Sequence, residues 1–249
     1  PRAPLNPQAL AGGVELGHAD DGQGGSAPED CGQTVILARP RWRGKPEVRT
    51  MPTRLPQPEL SSLRLRLREP REDDAPALFA IHGDPQVMRY WSCPAWTRPA
   101  QAEQKLADIR RQRRELDVLV WAIADARSDQ LIGTSAVFAM NLEQGRAEIG
   151  YSLHRDWQGR GLASEALRMI LRHLFDGMGL RRIEADIDPR NLASCRLVEK
   201  LGFVREGTLR ERWHVNGEVC DSAIYGLLRR DFIDPQATYA QGHAGAPAR

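Results

Sequence analysis

The first sustained pattern of apolar and polar positions begins near residue 62. Leu63, Leu65 and Leu67 alternate there with three arginines. A period of two places apolar side chains on one face and polar side chains on the other, as in a half-buried β-strand. We therefore predict that a folded domain begins at residue 61, with a strand whose leucines are buried and whose arginines face solvent.

Helical and strand patterns then follow one another to residue 233. Helices are predicted from Asp73 to about His82, over a short segment to Tyr90, from Pro99 to about Leu116, from Gly161 to Phe175 and from Asn191 to Leu201. Strands are predicted over Val118–Asp125, Leu131–Met140, Arg146–His154 and Arg182–Ile187, with two more that turn at Asn216 and Gly217. This order predicts an α+β domain whose central strands include an antiparallel meander.

The charge balance argues against a dedicated nucleic-acid-binding protein. Lys and Arg number 35 and Asp and Glu number 33, which leaves a formal net charge of +2, whereas such binders carry a strongly basic surface. The arginines of the long helix, among them Arg110 and Arg113, are predicted to face solvent. No apolar run approaches the roughly 20 residues that span a bilayer, so we predict no membrane partner.

The cysteines indicate neither a metal site nor a redox site. Cys31, Cys93, Cys195 and Cys220 are scattered and lack the paired spacing of such sites. The first residues also lack the basic start and apolar stretch of a secretory signal. We predict a cytoplasmic protein without a bound metal, and we leave monomer and homodimer open.

Residues 1–60 are rich in Gly and Pro and show no sustained period, which predicts a mostly disordered extension. Met51 is the first methionine, and we hypothesise that it is the biological start. Residues 234–249 are predicted to be a flexible tail. Trp42 lies within a basic cluster that runs from Arg39 to Lys45 and that can stack on nucleic acid, such as ribosomal RNA, although a solvated tail is the favoured interpretation.

A strand that contains Glu148 runs into a loop with Gly159 and Gly161, and a helix follows. The backbone N–H groups and the positive end of the helix dipole then converge on one point, which suits a phosphate group. The spacing fits neither the P-loop nor the dinucleotide-binding fingerprint. Taken alone, the loop remains compatible with other phosphate-containing ligands.

Three segments together resemble the GNAT superfamily of N-acetyltransferases. They are the strand Glu148-Ile149-Gly150-Tyr151, the loop Gln158 to Ala163, which matches the family pattern Q/R-x-x-G-x-G/A, and the pair Asn191–Ser194 and Glu199–Phe203. The arrangement resembles in particular the ribosomal-protein-alanine acetyltransferase subgroup. The resemblance covers residues 63 to 232 and implies a mixed central sheet flanked by helices, with splayed central strands. It also implies acetyl-CoA as co-substrate and a primary amine as acceptor.

The resemblance further implies which residues bind coenzyme A. The loop N–H groups would bind the pyrophosphate, one strand would pair with the pantetheine arm, and Asn191 and Ser194 would lie near the pantetheine and the sulfur. The residues so implied are Tyr151, Ser152, Leu153, Gln158, Gly159, Arg160, Gly161, Leu162, Ala163, Asn191 and Ser194.

Direct acetyl transfer needs a neutral amine, an oxyanion donor and a proton for the leaving thiolate. Backbone amides near Leu153 are candidate oxyanion donors. Glu148 is the favoured general base and Glu211 a second candidate. Many relatives carry a tyrosine as general acid at the position of Val198, so Ser194 becomes the candidate donor to the thiolate here.

The acceptor is not fixed by the sequence. An α-amine titrates near 8 and a lysine amine near 10.4, which favours a protein N-terminus or a small primary amine. A polyamine or antibiotic acceptor and a non-catalytic coenzyme A-binding or ribosome-associated module remain alternatives. Trp91, Trp96 and Trp213 are candidates to line the acceptor pocket, against the alternative that they fill the core.

Overall fold

The computed structural model describes residue 55, residues 57–115 and residues 118–232, and its strands form one eight-stranded mixed sheet. The strands are β1 (Leu60–Ser61), β2 (Leu65–Arg68), β3 (Leu119–Asp125), β4 (Leu131–Asn141), β5 (Arg146–Leu153), β6 (Arg182–Ile187), β7 (Val204–Val215) and β8 (Glu218–Leu228). The helices are α1 (Ala75–His82), α2 (Ala100–Glu115), α3 (Leu162–Arg172) and α4 (Leu192–Lys200). The spatial order is β1-β2-β3-β4-β5-β6-β8-β7. The predicted α+β sheet with its antiparallel β3-β4-β5 meander is confirmed.

Helices cover both faces of the sheet, so that apolar side chains are buried on each side. On one face, Leu167 and Ile170 of α3 share a core with Trp121 and Ile149. On the other face, Leu106 of α2 belongs to a second cluster with Val120 and Phe138. Burial on both faces explains why β3 is a nearly continuous apolar run rather than an alternating one. None of the described helices is long and apolar enough to cross a membrane.

The first predicted strand is partly wrong. Leu63 is 98% exposed and Arg68 only 2% exposed, the reverse of the alternation expected for them. Ser62 begins a turn in which its hydroxyl accepts from the Leu65 N–H, so the strand starts only at Leu65. Arg68 is buried because it donates to both carboxylate oxygens of Asp74, at 2.8 and 2.9 Å, and a paired charge tolerates burial.

The packed region also begins before the predicted boundary at residue 61. Leu55 lies in the core, Gln57 donates through Nε2 to the carbonyl of Val120 at 2.6 Å, and Trp121 donates to the carbonyl of Pro58. Arg113 was expected to face solvent but is buried, because this segment covers it and the Leu55 carbonyl accepts from its Nη2 at 2.7 Å.

The short helix predicted to end at Tyr90 is absent from the described residues, since positions 85–90 form successive turns. Pro85 follows Gly83 and Asp84 directly, and a segment this short gains too few hydrogen bonds to offset helix nucleation. Several predictions lie outside the described residues. These are the extension up to residue 54, Met51, the cluster from Arg39 to Lys45, and the tail from residue 234.

Candidate active site

The site lies where two neighbouring strands separate. β5 and β6 are parallel and pair only over Arg146–Glu148 and Arg182–Glu184. Beyond Glu148, β5 continues to Leu153 without a residue pair to β6 among the described residues. The predicted splay of the central strands is confirmed, and it opens a cleft with Glu148 at its base.

The glycine loop enters α3 as predicted. Gly159 and Gly161 have φ values of +72° and +74°, and Gly161 is the N-cap residue of α3. This left-handed conformation is accessible to glycine at little cost. A Cβ at Gly159 would meet no atom within 4 Å, so the space above the loop is open to a ligand. The buried Ser164 hydroxyl, in the first turn of α3, has no hydrogen-bond partner among the described residues.

Side chains hold this loop in place. Gln158 donates through Nε2 to the Leu153 carbonyl at 2.9 Å, which ties the loop to the end of β5. Arg64 donates to the Arg160 carbonyl at 3.1 Å and forms an ion pair with Glu165. This role of Arg64 was not visible in the sequence, since the alternation there indicated only a solvent-facing arginine.

At the end of β5 and the start of α3, main-chain groups are available to a ligand and the side chains are not. Ser152 is buried and its hydroxyl lies 2.9 Å from that of Thr134. Leu153 and Leu162 belong to the core, and Ala163 packs against it. Any contact from Ser152 or Leu153 to a pantetheine arm would therefore use main-chain groups.

Ser194 meets an unexpected hydroxyl partner. The Asn191 side chain caps α4 by accepting from the Ser194 N–H at 3.1 Å. The Tyr151 hydroxyl lies 2.5 Å from the Ser194 hydroxyl oxygen, and burial raises the pKa of Tyr151. Val198 is fully buried and contributes no polar group. A tyrosine hydroxyl thus reaches Ser194 from β5 and not from α4.

Glu148 has the electrostatics of a base that works near neutrality. Burial, reinforced by the neighbouring carboxylates of Asp186 and Glu184, raises the pKa of Glu148 to about 7, while Arg212 opposes the rise. Asp186 accepts a hydrogen bond from the buried Ser222 hydroxyl, and burial raises its pKa as well. Loss of water around a carboxylate disfavours its charged form, which accounts for the direction of both shifts.

Glu211, the second candidate base, is not brought to Glu148. It is exposed, has a φ of +53°, and lies in an irregular stretch of β7 between Leu209 and Trp213. Its N–H donates to an Asp221 carboxylate oxygen at 2.8 Å. Glu211 is absent from the described residues that line the cleft.

The cleft has a sheet side and a helix side. The sheet side comprises Glu148 and Tyr151 of β5 and Asp186 of β6, together with Asp188, Asn191 and Ser194, which lead from β6 into α4. The helix side comprises His82 of α1 and Lys105 and Gln112 of α2, together with Tyr90 and Trp91 from the turns after α1. Trp213 lines an adjoining pocket that shares Trp91 with the cleft, whereas Trp96 is buried and stacks on His82 at 4.6 Å between ring centroids. Of the three candidate tryptophans, Trp91 therefore lines the cleft, Trp213 lines the adjoining pocket and Trp96 fills the core.

The chain matches known proteins over most of this region. A family model described as an acetyltransferase (GNAT) domain matches residues 64–204. The N-acetyltransferase p20 of Bacillus licheniformis is 34% identical over 169 residues, which are 68% of this chain and 95% of that protein. The ribosomal protein uS5-alanine N-acetyltransferase of Escherichia coli strain K12 is 28% identical over 137 residues, which are 54% of this chain and 70% of that protein.

Solved structures share the fold. The spermidine N-acetyltransferase of Vibrio cholerae, solved in complex with CoA and spermine, superposes with a TM-score of 0.61. The match covers 68% of this chain and 98% of that chain, at 22% sequence identity. At this identity the likeness extends to the fold and not to the acceptor.

Proposed function

Because this chain belongs to the GNAT family and is an acetyl-CoA-dependent N-acetyltransferase, we propose that its acceptor is an α-amine and that Glu148 is the general base. The observation that carries the proposal is the position of Glu148 at the base of the splay, with a pKa of about 7. A base is most effective when its pKa lies near the working pH. The cleft above Glu148 also contains Tyr151 and Ser194.

Acetyl-CoA fits the residues present. The loop from Gln158 to Ala163 offers the first N–H groups of α3 to the pyrophosphate, and the Cβ-free space above Gly159 leaves room for it. The unpaired edge of β5 up to Leu153 offers main-chain groups to the pantetheine arm. Coenzyme A supplies the activated acetyl thioester when it is bound.

In the proposed reaction Glu148 takes up one proton and Ser194 delivers another. Glu148 accepts the proton of the incoming ammonium, directly or through water, and the amine nitrogen forms a bond to the acetyl carbon. Main-chain N–H groups near Leu153 stabilise the oxyanion. As the carbon–sulfur bond breaks, the Ser194 hydroxyl, itself hydrogen-bonded to Tyr151, gives its proton to the departing sulfur. The second proton of the attacking nitrogen replaces it through water, so that the products are the amide and the free thiol.

The lower pKa of an α-amine favours it over a lysine side chain as the acceptor. The pKa of the base is about 7. Transfer of a proton to this base costs about 1.4 kcal/mol from an α-amine with a pKa near 8, and about 5 kcal/mol from a lysine amine with a pKa near 10.4. This difference supports a protein N-terminus or a small α-amine as acceptor. The E. coli relative, named for a ribosomal protein alanine, supports the same class.

A polyamine is the second candidate, and the sheet side of the cleft favours it. Glu148, Asp186 and Asp188 give this side three carboxylates, and the V. cholerae neighbour is named for spermidine. Carboxylates of this kind stabilise a cationic acceptor. The helix side argues against a polycation, because Lys105 lies there.

An acceptor screen tests the proposal. Purified protein with acetyl-CoA would be offered peptides with free and blocked N-termini, lysine derivatives blocked at the α-amine, and spermidine, with thiol release and product mass as readouts. We expect α-amines to be acetylated at least about tenfold faster than lysine side chains. Faster turnover of spermidine than of any α-amine, or thiol release without dependence on acceptor, would overturn the proposed class.

A further inference from the structure

The helix side of the cleft carries polar groups that have no hydrogen-bond partner among the described residues. Lys105 on α2 lines the cleft. The described residues form no hydrogen bond or ion pair with its ammonium. Nearby, the His82 Nδ1 and Gln112 Oε1 atoms are buried and have no hydrogen-bond partner among the described residues. Buried polar atoms are nearly always paired, so these two atoms, beside an ammonium that lines the cleft, call for a ligand.

The charge of Lys105 is only partly balanced by its neighbours, since Asp108 alone among the described carboxylates favours its charged form. Burial lowers the pKa of Lys105 to about 8, so the amine remains mostly protonated at neutral pH. The nearest acidic side chain, Asp108, already forms an ion pair with Arg111 at 2.8 Å. Burial raises the pKa of Cys93 to about 11, so its thiol is not an anion. Asp108 is thus shared between Lys105 and Arg111, and the Lys105 ammonium lines the cleft with only this shared counter-charge among the described residues.

His82 and Gln112 support the same interpretation. His82 is only 3% exposed, and burial lowers its pKa to about 3, so it is neutral. Its ring is fixed by Trp96 at 4.6 Å and Trp91 at 5.5 Å, which leaves Nδ1 in a defined position. Nδ1 of a neutral imidazole donates or accepts according to its tautomer, and a carboxamide can present its oxygen or its nitrogen. Lys105 thus supplies the charged donor, and His82 and Gln112 each offer one further polar atom to a ligand.

We infer that the cleft accepts an amine whose molecule also carries a carboxylate, with the carboxylate bound by Lys105 and the amine held at Glu148. The inference rests on the proposed function and adds that the acceptor carries a negative charge besides its amine. The cleft is bipolar, since Glu148 and Asp186, which share Arg212, lie on the sheet side and Lys105 lies on the helix side, while Asp188 is paired with Arg190. A polyamine would bring a second positive charge towards Lys105, whereas a zwitterionic acceptor matches both sides.

The carboxylate has two sources, and paired acceptors distinguish them. Alanine against alaninamide tests the α-carboxylate of a free amino acid. Ala-Asp-amide against Ala-Asn-amide tests an acidic side chain next to a peptide N-terminus. kcat/KM for each would be measured by thiol release with the wild type, Lys105→Met and, as a matched control, Lys200→Met, whose lysine is exposed on α4.

We expect the wild type to prefer the charged member of at least one pair by about tenfold or more, as for a charge-assisted hydrogen bond. Lys105→Met should abolish this preference by slowing only the charged member, while Lys200→Met retains it. No preference in either pair, or an equal loss for both members with Lys105→Met, would overturn the inference while leaving acetyl transfer intact.

If none of the four acceptors is acetylated, binding measurements test the carboxylate site instead. Calorimetric titration of each acceptor into the CoA-bound protein would then be compared between the wild type and Lys105→Met. Tighter binding of the charged member by the wild type alone supports the carboxylate site even though the proposed reaction has failed. Equal binding of both members by the wild type would contradict it.

Discussion

At the scale of single residues, Glu148 is held in a charge state that costs stability. Its carboxylate is desolvated and lies near Asp186 and Glu184, so its pKa is about 7 instead of the ordinary 4.5. The folded protein keeps this proton while the unfolded chain loses it. Stability therefore falls as the pH rises from about 4.5 to about 7, and the loss persists above that range.

Glu148→Gln should for this reason stabilise the protein at pH 8 and have little effect at pH 5. The pKa difference corresponds to about 3 kcal/mol at pH 8, measurable by urea unfolding at both pH values. Glu143→Gln, in the exposed turn between β4 and β5, is the control and should show no such dependence. Equal stability of Glu148→Gln and the wild type at both pH values would show that Glu148 is not desolvated as described.

The hydroxyls of Tyr151 and Ser194 form one unit, and their variants should behave accordingly. Tyr151→Phe and Ser194→Ala should each lower kcat by about 10- to 100-fold, because each removes part of the donor to the thiolate. The double variant should lose little more than the worse single one, since coupled residues are not additive. Steady-state kinetics of the three variants checks this. Additive losses would show that the two hydroxyls act independently.

At the scale of elements, the loop before α3 depends on the backbone of its glycines. Gly159→Ala should raise KM for acetyl-CoA by about tenfold, because the new methyl enters the open space above the loop. It should also cost about 1 kcal/mol, because a positive φ strains alanine. Gly179→Ala is the matched control, since Gly179 has a φ of +71° and equally open surroundings away from the loop.

Both glycine variants should lose similar stability in thermal unfolding, but only Gly159→Ala should change KM for acetyl-CoA. If Gly179→Ala raised KM equally, the effect would come from general destabilisation. If Gly159→Ala left KM unchanged, the loop would not carry the pyrophosphate as proposed.

Elements with long regular patterns were predictable from the sequence, and those shaped by a neighbour were not. The strand over Arg182–Ile187 and the turn at Asn216 and Gly217 are confirmed, because local periodicity and turn chemistry decide them. Arg68 and Arg113 were assigned to solvent, since no local signal reports that Asp74 pairs with one and that the Leu55 segment covers the other.

At the scale of the whole molecule, the splay between β5 and β6 brings together side chains far apart in sequence. The sequence placed Glu148 and Ser194 in this site by resemblance, and the structure brings both to one cleft. It separates Glu211 from them and adds the Tyr151 hydroxyl and Lys105. Neither addition was visible in the sequence, because the contact of Tyr151 with α4 and the position of Lys105 on the cleft arise only from tertiary packing.

The pH dependence of kcat/KM tests the central claim most directly, with the wild type, Glu148→Gln and Glu211→Gln assayed on the best α-amine acceptor. We predict that the wild-type value rises through a pKa near 7 and that Glu211→Gln keeps this profile. Glu148→Gln should lose about 100-fold and retain only the titration of the amine itself. If Glu148→Gln kept both the wild-type rate and the rise of kcat/KM near pH 7, the assignment of Glu148 as the base would be contradicted.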